Sequence, residues 1–486
     1  MRKMKIKVLL SFLVLVGLGS VYAQTPAYKI DIIIDGLKDT TVLLGHYYSE
    51  STYAKDTAVS KNGKLTFDGK KALPQGVYFV ILGKVRLFEL VISNNQKFSL
   101  TTSSKDYVGN MVVAGDIDNK LFFENMKFIG ERSKEAEPFI KILQDSTLNE
   151  NQKQDARRAF EIINQKVLAY HTDLISKNPS TMTARLLQST KRVEAPEPPK
   201  KADGSIDSTF QLKYYREHYF DNFNLADDAL IRLPKNTYKE KVEEYLDRLY
   251  PPDADTLTKV INKLIARVKD NQETYKYLTW ICLLKYQQPK YMGLDQVFVN
   301  LHDQYYATGK MDFWVNPQLK KNLKETADRI RSSALGKKSN NLILQDTQGN
   351  MRSLHNMANK YTIVYFFDPD CGHCRKETPR LVDFKNKTKY DVGIYAVAAD
   401  SSIANIKKFV AEMKMEKFVT VSYYYSAVGH YRELYDAETT PTIYVLDREK
   451  KIIGRKLPSV DDIEPFLNQY ERFQQNKTKA ATKSSP

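Results

Sequence analysis

The spacing of apolar positions changes twice along the chain, and the changes divide it into three stretches. Between residues 24 and 116, apolar and polar positions alternate in short runs. Residues 28–35 (YKIDIIID), 77–82 (VYFVIL) and 97–101 (KFSLT) combine that alternation with β-branched and aromatic side chains. Lys61-Asn62-Gly63-Lys64 reads as a hairpin turn between residues 57–59 and 65–67. This stretch predicts an all-β sandwich. Between residues 117 and 333 the apolar period lengthens to that of a helix, with amphipathic stretches at 152–175, 238–249, 255–269 and 294–306. A proline- and charge-rich loop at 193–205 interrupts them, and the whole reads as an all-α domain. The aromatic run at 214–220 (YYREHYF) reads as helix–helix core rather than as a ligand box.

From residue 334 to 473, strand and helix patterns alternate. A hairpin surrounds Gln348-Gly349-Asn350. An apolar run follows at 361–367 (YTIVYFF), then a helix from Arg375, a strand at 392–399 and a helix at 403–413. A second hairpin occupies 442–457, turning at Asp447-Arg448-Glu449-Lys450, and a last helix spans 460–473. That order predicts a mixed sheet covered by helices, an α/β domain. The basic tail at 474–486 reads as disordered.

Residues 1–23 read as a signal peptide. Arg2, Lys3, Lys5 and Lys7 precede an apolar stretch from Val8 to Gly19, and small residues lead to a cut after Ala23. The apolar stretch is shorter than the ~20 residues a membrane span needs. The expected protein is therefore exported and periplasmic. Removing the four leader cations takes the formal charge from +16 to +12. Lys and Arg are interleaved with Asp and Glu along the helical stretches, as on solvated faces, and no nucleic-acid module is present.

Three cysteines occur in 486 residues, too few for a disulfide-stapled exported protein. Cys282 lies in an apolar helical context (WICLL) and reads as core. The other two form Cys371-Gly372-His373-Cys374, between the apolar run ending at Phe367 and a helix-compatible segment. At such a junction Cys371 falls at a helix N-terminus, where unpaired N–H groups and the helix dipole favour a thiolate. Cys374 falls one turn later on the same face. The arrangement suits reversible dithiol–disulfide exchange.

Two sequences resemble the thioredoxin superfamily, and within it the exported TlpA/ResA-like thiol–disulfide oxidoreductases: residues 366–379 (FFDPDCGHCRKETP) and residues 438–447 (ETTPTIYVLD). The resemblance implies a thioredoxin-like fold for the α/β domain. It implies a cis proline at Pro441 packed against the dithiol, with the Thr440 backbone presented to a substrate peptide. It also implies protein thiol or disulfide substrates and a membrane protein that donates or accepts electrons. Glu377 matches a glutamate that such proteins keep near their cysteines, where it would exchange protons with the resolving thiol; a solvated helix glutamate is the other reading. Tyr365 stands where many thioredoxins have a buried aspartate, and Asp370 where a tryptophan usually precedes the first cysteine. The two N-terminal domains look like the β-sandwich and helical domains of unknown function that precede thioredoxin modules in exported proteins. Domain economy gives them the selection or positioning of substrates, or the joining of protomers.

The expected mechanism is attack by Cys371 and resolution by Cys374. No cofactor and no metal take part. His373, as cation or donor, would stabilise the Cys371 thiolate and make the disulfide more oxidising. Gly-His is the pair of the disulfide isomerases and pulls towards isomerase or oxidase activity, whereas the TlpA/ResA-like surroundings pull towards a reductase, which is preferred. A zinc site would need two further ligands from scattered histidines, and a peroxidase would need a different loop before its cysteine. A non-enzymatic envelope scaffold with a vestigial dithiol is the remaining alternative.

Overall fold

The computed structural model describes residues 26–200 and 203–483. The leader and its cleavage site lie outside the described residues. The chain forms two compact units. One is built from residues up to Arg192 together with Ala229–Thr237, the other from Val193–Asp228 and the chain from Tyr238 onward.

The first unit opens with eight strands: β1 (Tyr28–Asp35), β2 (Thr40–Tyr48), β3 (Ser51–Ser60), β4 (Lys64–Gly69), β5 (Gly76–Leu82), β6 (Val85–Ile92), β7 (Lys97–Ser103) and β8 (Val112–Ala114). They form two four-stranded sheets, β4-β1-β7-β8 and β3-β2-β5-β6. Alternation along β1 puts Tyr28, Ile30, Ile32 and Ile34 in the core, where they join Leu44, Phe67, Tyr78 and Leu90. The turn at residues 61–64 is present, with Asn62 and Gly63 at φ 50° and 74°. The hairpin expected around it is not. Lys61 and Lys64 pair with each other, after which β3 pairs with β2 and β4 with β1 in the other sheet. The Asn-Gly pair sets the reversal, but the two apolar faces are then buried in different sheets. Helices α1 (Ile117–Gln144), α2 (Glu150–Lys177) and α3 (Met182–Thr190) follow the strands in this unit. The Asp116 carboxylate caps α1, and Asn149 with Gln152 forms a capping box on α2.

The second unit begins with α4 (Phe210–His218), α5 (Thr237–Leu249, continuing from the first unit's last residue), α6 (Ala254–Val268), α7 (Gln272–Lys285), α8 (Asp295–Leu301) and α9 (Pro317–Ser332). The aromatic run supplies core only through Phe220, beyond the end of α4, whose ring meets Phe223 and Tyr245; α4 itself buries none of its residues. Cys282 is fully buried on α7, and burial pushes its thiol up to about 12.

The remainder of this unit is a seven-stranded mixed sheet. Its elements are β9 (Ile343–Asp346), β10 (Met351–Ser353), β11 (Tyr361–Phe367), α10 (Gly372–Lys387), β12 (Val392–Ala398), α11 (Ile403–Met413), β13 (Val419–Ser426), α12 (Tyr431–Leu434), β14 (Thr442–Leu446), β15 (Ile452–Arg455) and α13 (Ile463–Lys483). The order is β10-β9-β13-β12-β11-β14-β15, with β11, β12 and β13 parallel. Every residue of β11 and β12 is buried, as befits central strands covered on both faces. Strand β13 is an addition to the expected order. Its Tyr423-Tyr424-Tyr425 run breaks the alternation that would reveal it. Helix α13 continues past the expected end at Phe473 into the segment read as a tail, because Gln, Lys and Ala there are good helix formers. Among the described residues no helix is long and apolar enough to cross a membrane.

Candidate active site

The central strand β11 delivers the chain to the sheet's C-terminal edge, where Asp368-Pro369-Asp370 turns it into α10. The Cys371 N–H donates to the Asp368 carbonyl at 3.1 Å, and the Asp368 carboxylate accepts from the Asp370 N–H at 2.9 Å. Cys371 is the N-cap of α10, with extended backbone, and its carbonyl accepts from the Arg375 N–H at 3.1 Å. The first turn of α10 carries Gly372 and His373, both exposed, and ends at Cys374, which is fully buried. A Cβ added to Gly372 would meet nothing within 4 Å, so packing does not demand glycine there and the approach to Cys371 is open.

Opposite the dithiol, β14 pairs antiparallel with β11, bringing Thr442 level with Phe366. The residues just ahead of β14 therefore face the start of α10. Thr440–Pro441 is a cis peptide, as expected. The Cys371 thiol donates to the Thr440 carbonyl at 3.3 Å.

The two sulphurs sit in opposed environments. Burial raises the Cys371 thiol, but it is outweighed by hydrogen bonds to the sulphur from the Cys374 N–H and thiol, the Thr440 side chain and the His373 N–H. The net displacement is below the ordinary thiol value. Burial pushes the Cys374 thiol up to about 12, although it accepts from the Asp368 N–H at 3.5 Å. The two sulphurs thus differ in kind: Cys371 is half-buried with its thiol displaced downward, and Cys374 lies fully buried one helical turn behind it with its thiol displaced upward.

Under Cys374 lies a pair of hydroxyls that the sequence reading did not single out as a unit. Thr378 donates to the Cys374 carbonyl at 2.7 Å, and its oxygen lies 3.0 Å from the Tyr365 hydroxyl. Both residues are buried, and the Tyr365 ring stacks on Phe367. Thr378 stands four residues after Cys374, so its back-bond to that carbonyl was readable from helix arithmetic. Its partnership with Tyr365 was not. Arg375 lies over the Phe409 ring and pairs with Glu412 at 2.8 Å, tying α10 to α11.

Glu377 is half-buried and turned towards the last helix. Its carboxylate accepts from the Val460 N–H at 2.8 Å and the Ser459 hydroxyl at 3.2 Å, and meets Arg380 at 3.3 Å. The carboxylate thus serves the turn that starts the C-terminal helix, an arrangement that neither sequence reading of Glu377 contained. Among the described residues no group of three or more His, Cys, Asp or Glu side chains is placed to hold a metal ion.

A helix-capping cysteine, a buried second cysteine one turn on and a facing cis-proline peptide, on a central parallel strand, define a thioredoxin-like module. The comparisons with known proteins agree. Residues 335–455 match the model of the AhpC/TSA family, residues 169–328 that of a domain of unknown function (DUF5106), and residues 28–122 that of another (DUF4369). A thioredoxin-like protein of Haemophilus influenzae is 30% identical over 124 residues, 25% of this chain and 71% of that one. The thiol-disulfide oxidoreductase ResA of Bacillus cereus is 25% identical over 122 residues, 25% of this chain and 68% of that one. Among solved structures, a domain of a possible thiol-disulfide isomerase from Cytophaga hutchinsonii is 35% identical, covering 29% of this chain and 96% of that one with a TM-score of 0.27. A thioredoxin-like protein from Bacteroides caccae is 18% identical, covering 57% and 98% with a TM-score of 0.44. The chain belongs to the thioredoxin-like family of thiol–disulfide oxidoreductases.

Proposed function

We propose that this chain is exported to the periplasm and reduces disulfides in protein substrates through Cys371 and Cys374. The Cys371 thiolate attacks one sulphur of the substrate disulfide. That S–S bond breaks, and the departing substrate thiolate takes up a proton. Cys374 then gives up its proton and attacks the Cys371 sulphur of the mixed disulfide, releasing the second substrate thiol. Two electrons pass to the substrate, and the enzyme is left with a Cys371–Cys374 disulfide. A dithiol protein of the membrane restores the reduced pair by the same exchange in reverse. The Thr440 backbone, held by Pro441, pairs with the substrate peptide beside the cysteines, and His373 supports the thiolate from the exposed rim. Glu377 is a positioning residue that fixes α10 against the start of the last helix.

The observation that carries this reading is the contrast between the two sulphurs: Cys371 half-exposed and displaced towards thiolate, Cys374 buried and held as thiol. The same displacement of Cys371 favours the reduced form, and so supports a second reading as an isomerase or oxidase. The equilibrium reduction potential separates them. A value near ~−270 mV fits a reductase, whereas a value between about −180 and −120 mV fits an isomerase or oxidase. A double Cys371→Ser, Cys374→Ser chain that retained full function would refute both. Export is tested by finding the mature N-terminus at Gln24 in the periplasmic fraction.

A further inference from the structure

The segment that leads into the Thr440–Pro441 peptide is gripped from a side that the redox chemistry does not use. Arg329, on α9, lies 2.8 Å from Glu438 and 4.0 Å from Asp436. Arg455, at the end of β15, meets Asp436 at 2.8 Å and also pairs with Asp295, the first residue of α8. Lys456 adds a contact to Asp436 at 2.5 Å. The Arg455, Asp295 and Asp436 side chains are only 4%, 7% and 9% exposed, so these are interior charges, and three carboxylates balance three cations. Neutral bonds reinforce the grip. Ser332 Oγ and Asn340 Nδ2 donate to the Leu434 carbonyl at 2.7 and 2.8 Å, and the Tyr435 hydroxyl donates to the Asn340 carbonyl at 2.7 Å. Two residues beyond Glu438 is Thr440, whose carbonyl holds the Cys371 thiol.

An apolar contact would hold these elements together without fixing their register. Directional charge-assisted bonds constrain both, and the buried Arg455, Asp295 and Asp436 charges are costly to leave unpaired. We propose that α8 and α9, through Asp295 and Arg329, act with Arg455 to position residues 434–438 and thereby the Thr440 backbone that receives a substrate peptide. Arg329 is then a positioning residue for peptide substrates. The helical region takes part in the exchange without touching the sulphurs. This rests on the exchange reading given above.

The test compares the full chain with Arg329→Gln, Arg329→Lys, Glu438→Gln and the Arg329→Gln, Glu438→Gln double variant. Each is assayed on a disulfide-linked peptide and on 5,5′-dithiobis(2-nitrobenzoate), a small disulfide with no peptide backbone. The expected result for Arg329→Gln is a KM for the peptide raised about five- to tenfold, within the usual range for coupled sites. Its kcat and its rate on the small disulfide stay unchanged. Arg329→Lys recovers part of the loss, and the double variant is no worse than the worse single one. Should Arg329→Gln lose its thermal unfolding transition, Glu438→Gln, at a carboxylate 58% exposed, carries the same expectation. An unchanged peptide KM, or a parallel fall on both disulfides, overturns the proposal while leaving the exchange reading intact. A wild-type chain inert towards both disulfides refutes the exchange reading, and this proposal with it.

Discussion

Replacing Cys371 by serine leaves two thiols, Cys374 and Cys282, both buried. The structure makes a quantitative demand on the first. In the intact pair, burial first and the neighbouring Cys371 sulphur second push the Cys374 thiol from 9.0 up to about 12. At a fixed pH well below both values, about a thousandfold less thiolate is present than for an ordinary thiol. A thiolate of higher pKa is intrinsically more nucleophilic, with a Brønsted slope of about 0.4–0.5, which returns roughly 16- to 30-fold. Cys371→Ser keeps the burial but removes the Cys371 sulphur that also raises Cys374, so the thiolate deficit alone should slow Cys374 towards iodoacetamide by up to roughly 30- to 60-fold relative to an ordinary thiol, and restricted access slows it further. Cys371 in Cys374→Ser should behave in the opposite way. Hydrogen bonds to its sulphur favour the thiolate, so alkylation should rise with pH through a midpoint below 9.0. Peptide-resolved mass spectrometry over a time course reads both rates and keeps Cys282 separate. If Cys374 were alkylated as fast as glutathione, the account of the two sulphurs would be wrong, and with it the division into attacking and resolving cysteines.

Three further outcomes follow from named contacts. Thr378→Val removes the partner of the buried Tyr365 hydroxyl and should lower unfolding free energy by about 1–3 kcal/mol, whereas Tyr365→Phe, which leaves Thr378 bonded to the Cys374 carbonyl, should cost less; urea titration of both tests the order. Glu377→Ala strips the Ser459 hydroxyl and Val460 N–H of their acceptor, and a loss of about 1–3 kcal/mol in the same titration is expected. The alkylation rate of Cys374, read in the Cys371→Ser background, should stay in place when Glu377→Ala is added; a changed rate would return Glu377 to proton handling with the resolving thiol. Arg455→Met leaves Asp295 buried without its partner and should cost about 3–5 kcal/mol, measured by denaturant unfolding.

How far the sequence could be read depends on whether the deciding interactions are local. Strand β11 and the dithiol helix were legible because a seven-residue run, apolar but for Thr362, leading into a Cys-x-x-Cys helix start leaves little room for another arrangement. The reversal at Asn62-Gly63 was legible for the same reason. Its pairing was not, because period-two alternation says which face is buried but not which strand lies alongside. Strand β13 was hidden by three successive tyrosines, whose side chains cannot reveal a period of two. The acceptor role of Glu377 depends on residues more than eighty positions away, and the Tyr365 hydroxyl's partner is a threonine thirteen positions on. The buried charges at Asp295, Asp436 and Arg455 look, in sequence, like any solvated helix or turn residues. Only the fold brings them inside.

The parallel pairing of β1 with β7 bears on the order in which the N-terminal sandwich can assemble. Tyr28–Asp35 is the first strand of the sandwich, yet it lies between β4 and β7 and aligns with Lys97–Ser103. The sheet β3-β2-β5-β6 joins neighbours by antiparallel pairing and can form as soon as those strands are available. The other sheet must wait. Until residue 103 is free to pair, β1 presents one open edge and an inner row of isoleucines to its surroundings. A chain that folds from its N-terminal side therefore keeps β1 unfinished until about seventy further residues are free to fold with it.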